Sequence, residues 1–179
     1  MKYFRKIEGE RLYLSPVNLE DVLLYCKWLN DPSITDGINK SKDVITTANE
    51  IEYLTEVSKK GQYQFAIVNS KDDTLMGNCG FNMIDNINQN GEVGIFIGEE
   101  GQRGKGYGKE ALRLLLDYGF NTLNLHNIRL GVYSFNERAL ACYKKVGFKE
   151  IGRIREVRYF NGKRYDLILL DILKDEFYN

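Results

Sequence analysis

The sequence predicts one α+β domain built on a central mixed, mostly antiparallel sheet flanked by helices. Three observations predict it. Apolar residues recur at helical spacing over residues 19–29 and 51–57, then at strand-like spacing from Gln64 to Gly98. The strand-like runs are joined by connections short enough to favour antiparallel neighbours. After Gly98, helical and strand-like runs alternate, which allows part of the sheet to be parallel.

In chain order, RLYLSPV reads as a first strand. Asn18 is a candidate N-cap for a helix with Glu20 and Asp21 in its first turn, where the positive end of the helix dipole favours anions. Leu19, Val22, Leu23, Cys26 and Leu29 give that helix its apolar face, and Pro32 lies just past its end. The polar stretch from Asn30 to Thr46 leads to a second helix with Ile51, Leu54 and Val57 inward and Gly61 as its stop. QFAIVNS, TLMGNCGFNMID and GEVGIFIG follow as strands. Lys71-Asp72-Asp73 and NINQNG supply the turns between them. A helix then runs from near Tyr107 to about Leu123, NIRLGVYSF is the next strand, and Asn136 caps a helix through Val146 that Gly147 ends. FKEIGRIREVRYF and KRYDLILLDIL form a hairpin about Asn161-Gly162, the strongest short turn signal.

The 179 residues, 1–179, are expected to fold as a single domain, and 43% hydrophobic with 12% aromatic residues can fill its core. Lys plus Arg and Asp plus Glu both number 25. A balance of that kind argues against nucleic acid or a membrane surface as general partners, since either favours a basic excess. Cys26, Cys79 and Cys142 are widely spaced and form no Cys/His cluster, so a reduced cytoplasmic protein without a bound metal is expected. The N-terminal MKYFRKIEGERLYL lacks the apolar run of a signal peptide, and no stretch approaches the roughly 18 apolar residues of a membrane helix.

The segment Gly101–Phe120, GQRGKGYGKEALRLLLDYGF, carries the chemistry. Glycines at 101, 104, 106 and 108 let main-chain N–H groups approach a ligand, a helix N-terminus follows, and Arg103, Lys105 and Lys109 add positive charge. The combination suits a phosphate or pyrophosphate. The P-loop pattern fails, because Arg103 stands where its first glycine is needed and Glu110 follows Lys109. Gly106-x-Gly108-x-x-Ala111 fits the dinucleotide fingerprint by letter, but the strand ends about eight residues too early and belongs to an antiparallel meander.

Arg103-Gly104-Lys105-Gly106-Tyr107-Gly108 resembles the Arg/Gln-x-x-Gly-x-Gly/Ala signature of the GCN5-related N-acetyltransferases. The run from Asn136 to Phe148, NERALACYKKVGF, is similar to the Asn-x-x-Ala-x-x-x-Tyr-x-x-x-Gly-Phe run of that family. The likeness spans roughly residues 10–173 and is nearest to the RimJ/RimL-like and SpeG-like members. It implies acetyl-coenzyme A as cosubstrate, no metal, and a pyrophosphate held by Arg103, Gly104, Lys105, Gly106, Tyr107, Gly108 and Lys109. It implies that Ile95, Phe96 and Ile97 pair with the pantetheine arm and that Asn136 contacts the cofactor. It also implies that Tyr143 serves the leaving sulfur as an acid, with Glu92 the candidate base. His126, the single histidine, reads as structural or exposed.

The resemblance implies transfer of an acetyl group to a primary amine, a polyamine or a protein N-terminus, by direct attack on the thioester. The alternative is a catalytically idle acyl-CoA-binding regulatory domain of the same fold. An NAD(P)-binding enzyme is a distant third. Asp31, Asp36 and Asp43 between the first two helices are candidates to attract a cationic amine, while Glu50, Glu52 and Glu56 read as a solvated helix face. A homodimer is expected by analogy with the family.

Overall fold

The computed structural model describes residues 1–60 and 63–178. Gly61, expected to stop the second helix, lies outside them. Eight strands form one sheet: β1 (Ile7–Glu8), β2 (Leu12–Pro16), β3 (Gln64–Asn69), β4 (Leu75–Asp85), β5 (Asn90–Ile97), β6 (Asn127–Tyr133), β7 (Lys149–Phe160) and β8 (Lys163–Leu173). Their order is β1-β2-β3-β4-β5-β6-β8-β7. The helices are α1 (Val22–Leu29), α2 (Pro32–Thr35), α3 (Thr47–Lys60), α4 (Tyr107–Asp117), α5 (Glu137–Val146) and α6 (Lys174–Tyr178). Strand β1 and helices α2 and α6 were not expected. They are two to five residues long, too short to show a hydrophobic period. Contacts divide the chain into two compact units, Met1–Phe81 with Ile95–Leu115, and Asn82–Gly94 with Leu116–Asn179.

In the first unit β1, β2, β3 and β4 pair antiparallel, with Leu14 opposite Ile67 and Phe65 opposite Cys79. Strands β2 and β3 are buried along most of their length, as expected of strands covered on both faces. Tyr13, Ala66 and Val68 join a core with Tyr25 and Trp28 of α1 and Leu54 of α3. Leu12, Leu14 and Ile67 alternate with them and so face the other side.

Two helix faces differ from the sequence expectation. Asn18 caps a 3-10 turn, Leu19–Asp21, and α1 starts only at Val22. The helix then buries Tyr25 and Trp28, leaving Leu19 and Leu23 exposed. Aromatic rings bury more apolar area than leucines, and they set the rotation of the helix. Asp21 is buried and takes its hydrogen bonds from the Tyr3 hydroxyl, at 2.9 and 3.0 Å, with Lys2 Nζ at 2.5 Å. On α3 the inward row is Glu50, Leu54 and Val57, and Ile51 is exposed. Glu50 is therefore a buried residue rather than part of the solvated face that Glu52 and Glu56 do form.

In the second unit β5 runs parallel to β6 over Asn90–Glu92, and β6, β8 and β7 are antiparallel. Ile128, Leu130 and Val132 alternate inward on β6, as Ile168, Leu170 and Ile172 do on β8. The β7–β8 turn is the expected Asn161-Gly162, both at positive φ (47° and 75°), the requirement of a type I′ hairpin. The helix begun by α4 continues in wider π-type turns through Thr122, close to the expected end at Leu123. Gly147 ends α5 at φ 120°, as expected.

Candidate active site

The first unit builds a glycine-rich loop from the end of β5 to the start of α4. Gly98 donates its N–H to the Met76 carbonyl at 2.8 Å. A Cβ at Gly98 would lie 2.1 Å from the Trp28 indole, so only glycine lets the strand pass that ring. Glu99 then accepts from Trp28 Nε1 at 3.1 Å and Lys27 Nζ at 3.0 Å. Those two bonds, the Lys27 one first, hold its carboxyl below the usual carboxylate range. After a 3-10 turn at Glu100–Gln102, Gly104 and Gly106 adopt φ of 75° and 85°. Main chain that steps through such left-handed residues turns successive N–H groups to one side, a concavity suited to oxyanions.

The cations of the loop divide into two kinds. Arg103 folds back: Nε donates to the Ile97 carbonyl at 3.1 Å, Nη2 to the Gly98 carbonyl at 2.9 Å and Nη1 to Ser33 Oγ at 3.2 Å. It fastens the loop to the strand end. Its own N–H is used on the Glu100 carbonyl at 3.0 Å. The main-chain N–H of Arg103 and three of its five guanidinium donors are thus used within the protein. Lys105 and Lys109 are exposed, and among the described residues neither ammonium pairs with an acid. Tyr107, Gly108 and Lys109 open α4, where N–H groups have no acceptor within the helix.

Arg11, part of the first strand expected from the sequence, braces this loop. Its main-chain N–H and Nε each reach Glu110 at 2.8 Å, Nη1 donates to the Lys105 carbonyl at 3.0 Å, and its guanidinium lies 4.8 Å from the Tyr107 ring centre. No local pattern in RLYL marks that role, because its partners lie 94 and 99 residues away.

Ile95, Phe96 and Ile97 are half-buried on β5 beside the loop. A Cβ at Gly77 on β4 would stand 2.1 Å from the Phe96 carbonyl oxygen, so the main chain of Phe96 is approached closely. The Phe96 ring sits edge-on to Trp28 at 6.1 Å, and Trp28 to Tyr25 at 5.8 Å.

The second unit holds the other predicted residues. Asn136 is the α5 N-cap, its Oδ1 accepting from Ala139 N at 3.2 Å. Tyr143 is on the same helix, two turns in and half-buried, its ring 6.1 Å from Phe148. Burial first, and the Cys142 thiol second, push the Tyr143 phenol above its ordinary value. Glu92 lies within β5 rather than at its start, and its Oε2 is 3.5 Å from Arg129 Nε on β6. His126 is exposed and uses its main chain, N–H to the Gln89 carbonyl at 2.6 Å and carbonyl to Lys174 N at 2.9 Å. Among the described residues no cluster of His, Cys, Asp or Glu is fit to hold a metal ion.

A positive-φ glycine loop with exposed lysines, opening a helix after a strand, is the local architecture of many anion sites, and sequence comparison decides among them. Residues 11–149 match the model of the acetyltransferase (GNAT) domain. The chain belongs to the GNAT family. By family it is an N-acetyltransferase. Among relatives of this GNAT domain is the uncharacterized N-acetyltransferase p20 of Bacillus licheniformis. It is 33% identical over 171 residues, covering 94% of this chain and 96% of the relative. The spermidine N(1)-acetyltransferase of Vibrio cholerae is 34% identical over 113 residues, covering 63% of this chain and 65% of the relative. In fold, a crystal structure of spermidine N-acetyltransferase from Vibrio cholerae in complex with CoA and spermine superposes with a TM-score of 0.86. It shares 24% identity and covers 96% of this chain and 100% of that one. The mixed sheet with flanking helices, expected from the sequence, is thus the GNAT fold.

Proposed function

We propose that residues 1–179 form one domain that moves the acetyl group of acetyl-coenzyme A to a primary amine, a polyamine or a protein N-terminus, in the cytoplasm. The observation that carries the donor half is the 103–109 loop. Gly104 has open space around it, among the described residues Lys105 and Lys109 pair with no acid, and α4 presents the N–H groups of Tyr107, Gly108 and Lys109. Those features fit a pyrophosphate: fixed N–H donors bind its oxygens and the lysines add charge. Asn136, Ile95, Phe96 and Ile97 complete the donor contacts in this reading. Main-chain groups around Phe96 hold the acyl arm. No described helix is long and apolar enough to cross a membrane.

Acetyl-coenzyme A supplies an activated acyl carbon, and the residues of the chain manage two protons. The attacking nitrogen must lose one, because an alkylammonium with an ordinary value near 10 is mostly charged at neutral pH. Glu92, half-exposed beside Arg129, draws it off directly or through water and passes it to solvent; the second leaves the nitrogen as its bond to the acyl carbon forms and the C–S bond breaks, and returns through solvent to the thiolate. Tyr143 serves the departing sulfur. Its phenol stays protonated, because burial raises it. A thiol titrates near 8.5, so full transfer from this phenol is uphill. Tyr143 therefore steadies the developing thiolate chiefly by donating a hydrogen bond.

The test is thiol release from acetyl-coenzyme A with spermidine, spermine, N-terminal peptides, aminoglycosides and amino sugars offered in turn. Turnover with one class identifies the acceptor. Tight donor binding without turnover on any amine would instead indicate an idle binding domain.

A further inference from the structure

Glu92, the base of the reading above, is 43% exposed. A glutamate side chain that open to water samples several rotamers, and few of them turn an oxygen to an incoming amine. The neighbouring strand limits that choice. The parallel pairing of β5 and β6 has three rungs, Asn90 with Asn127, Gly91 with Ile128 and Glu92 with Arg129. Both strands run on, β5 to Ile97 and β6 to Tyr133, so Glu92 and Arg129 form the last rung of the pair. Across it, Arg129 Nε lies 3.5 Å from Glu92 Oε2.

Arg129 has a rival acceptor on its other side. Asp171 of β8 stands opposite it in register. Asn127 draws that carboxylate away, its Nδ2 donating to Asp171 Oδ2 at 2.8 Å. Asn127 and Arg129 alternate along β6 with the buried Ile128 and Leu130, so amide and guanidinium share the sheet face turned from that core. The outer end of the guanidinium lies by β4, with Nη2 4.0 Å from Met83 Sδ. Among the described residues the ion pair of Arg129 is with Glu92, and Glu92 Oε1 takes part in no hydrogen bond. One oxygen is held and the other is presented.

We propose that Arg129 is a positioning residue for the base: it fixes Oε2 of Glu92 and leaves Oε1 to take a proton from the attacking nitrogen, directly or through water. The proposal rests on the reading of Glu92 as the base. As an N–H bond of the amine breaks, an O–H bond forms at Glu92, and that proton then leaves to solvent. Arg129 gives up no proton in the process, because a guanidinium stays charged throughout. Its donors can bond the carboxyl oxygen whether Glu92 is ionised or briefly neutral, so the hold lasts through the cycle. Asn127 supports the arrangement by keeping Asp171 occupied.

The experiment is a double-mutant cycle on thiol release, with acetyl-coenzyme A and the amine that the panel above identifies. Arg129→Gln should lower kcat about tenfold and leave both KM values within about twofold, since a misaimed base slows the chemical step and not binding. Glu92→Gln should lower kcat further. In the Glu92→Gln background, Arg129→Gln should then cost less than about twofold, because the group it aimed is gone. A role in folding alone would carry the same loss into both backgrounds. Arg129→Lys should recover part of the kcat lost in Arg129→Gln, since it keeps the charge without the planar fork. The pair is exposed, so Arg129→Gln should melt within about 4 °C of the parent. Parental kcat in Arg129→Gln, with Glu92→Gln slow, overturns the positioning role and leaves the base standing. So does a tenfold loss that repeats in the Glu92→Gln background. Parental kcat in Glu92→Gln removes the base, and the positioning role falls with it. Absence of turnover on every amine overturns both.

Discussion

Arg11 and Glu110 meet twice. The Arg11 main-chain N–H reaches Glu110 Oε1 at 2.8 Å, and its Nε reaches Oε2 at the same distance. Glu110 lies in the first turn of α4, where an uncompensated carboxylate would favour the helix dipole yet oppose an incoming phosphate. Arg11 offsets that charge and, through the Lys105 carbonyl, fixes the loop. We expect Arg11→Gln to raise the acetyl-coenzyme A KM about tenfold while kcat changes little, in initial rates with the donor varied. Arg11→Lys should not rescue it, because a lysine lacks the fork that spans two acceptors. A lysine variant with the parent donor KM would refute the brace.

Tyr143→Phe removes one oxygen from α5 and keeps the ring against Phe148. Turnover at saturating substrates should fall about 10²-fold, with both KM values within about twofold. Burial holds the phenol above its ordinary 10.0. The kcat profile of the parent should accordingly show no loss from phenol ionisation up to about pH 10. A phenylalanine variant that keeps parental kcat removes the role.

Glu99 and Glu50 should impose opposite slopes on stability against pH. Hydrogen bonds from Lys27 and Trp28 depress Glu99 in the folded state. Its contribution is present above the unfolded value, 4.5, and is lost as pH falls through the depressed folded value. The group is 39% exposed, so solvent screening keeps the effect under about 1 kcal/mol. Burial raises Glu50, so the fold favours its protonated form and stability declines as pH rises from 4.5 through the raised value. Urea unfolding between pH 3 and 8 should show Glu99→Gln flattening the acid side and Glu50→Gln gaining on the parent above the Glu50 window. The reverse order would contradict both assignments.

A glycine series separates crowding from backbone conformation. Gly101 has nothing within 4 Å and no positive φ, so Gly101→Ala should change unfolding free energy by less than about 0.5 kcal/mol. Gly104 is equally open but left-handed, and Gly104→Ala should cost about 1–2 kcal/mol. Gly98→Ala drives a methyl into the Trp28 indole and should cost about 1–3 kcal/mol, with relaxation of the ring deciding where in that range. Denaturant titrations of the three variants supply the comparison, and a neutral Gly98→Ala would show that the indole is not fixed there.

Much of this was written locally. The Asn161-Gly162 turn, the Asn136 cap and the Gly147 stop depend on neighbours within four residues, and each is where the sequence placed it. Short connections set the β3–β4 and β7–β8 neighbours, whereas β2–β3, β5–β6 and β6–β8 pair across intervening helices or a strand and were not written in any turn. The rotation of α1 was not local: Tyr25 and Trp28 won over Leu19 and Leu23 because rings from Tyr13 and Phe96 were waiting for them. The inward turn of Glu50 was hidden for the same reason, since charge on a helix normally reads as surface. That Arg103 also ties the loop to carbonyls six and five residues back could not be read from its charge alone. The brace from Arg11 joins residues about 99 apart, beyond any window of periodicity.

Trp28 is the single tryptophan of the chain, 1% exposed, hydrogen-bonded to Glu99 and edge-on to Phe96. The indole therefore watches the end of β5 and the first residue of the loop without competing emitters of its own kind. Its fluorescence should be blue-shifted, as in a dry pocket, and should change in intensity when the loop takes up an anion. If the loop holds the donor as proposed, the protein would carry a built-in optical gauge of its occupancy, readable by stopped flow before a single acetyl group has moved.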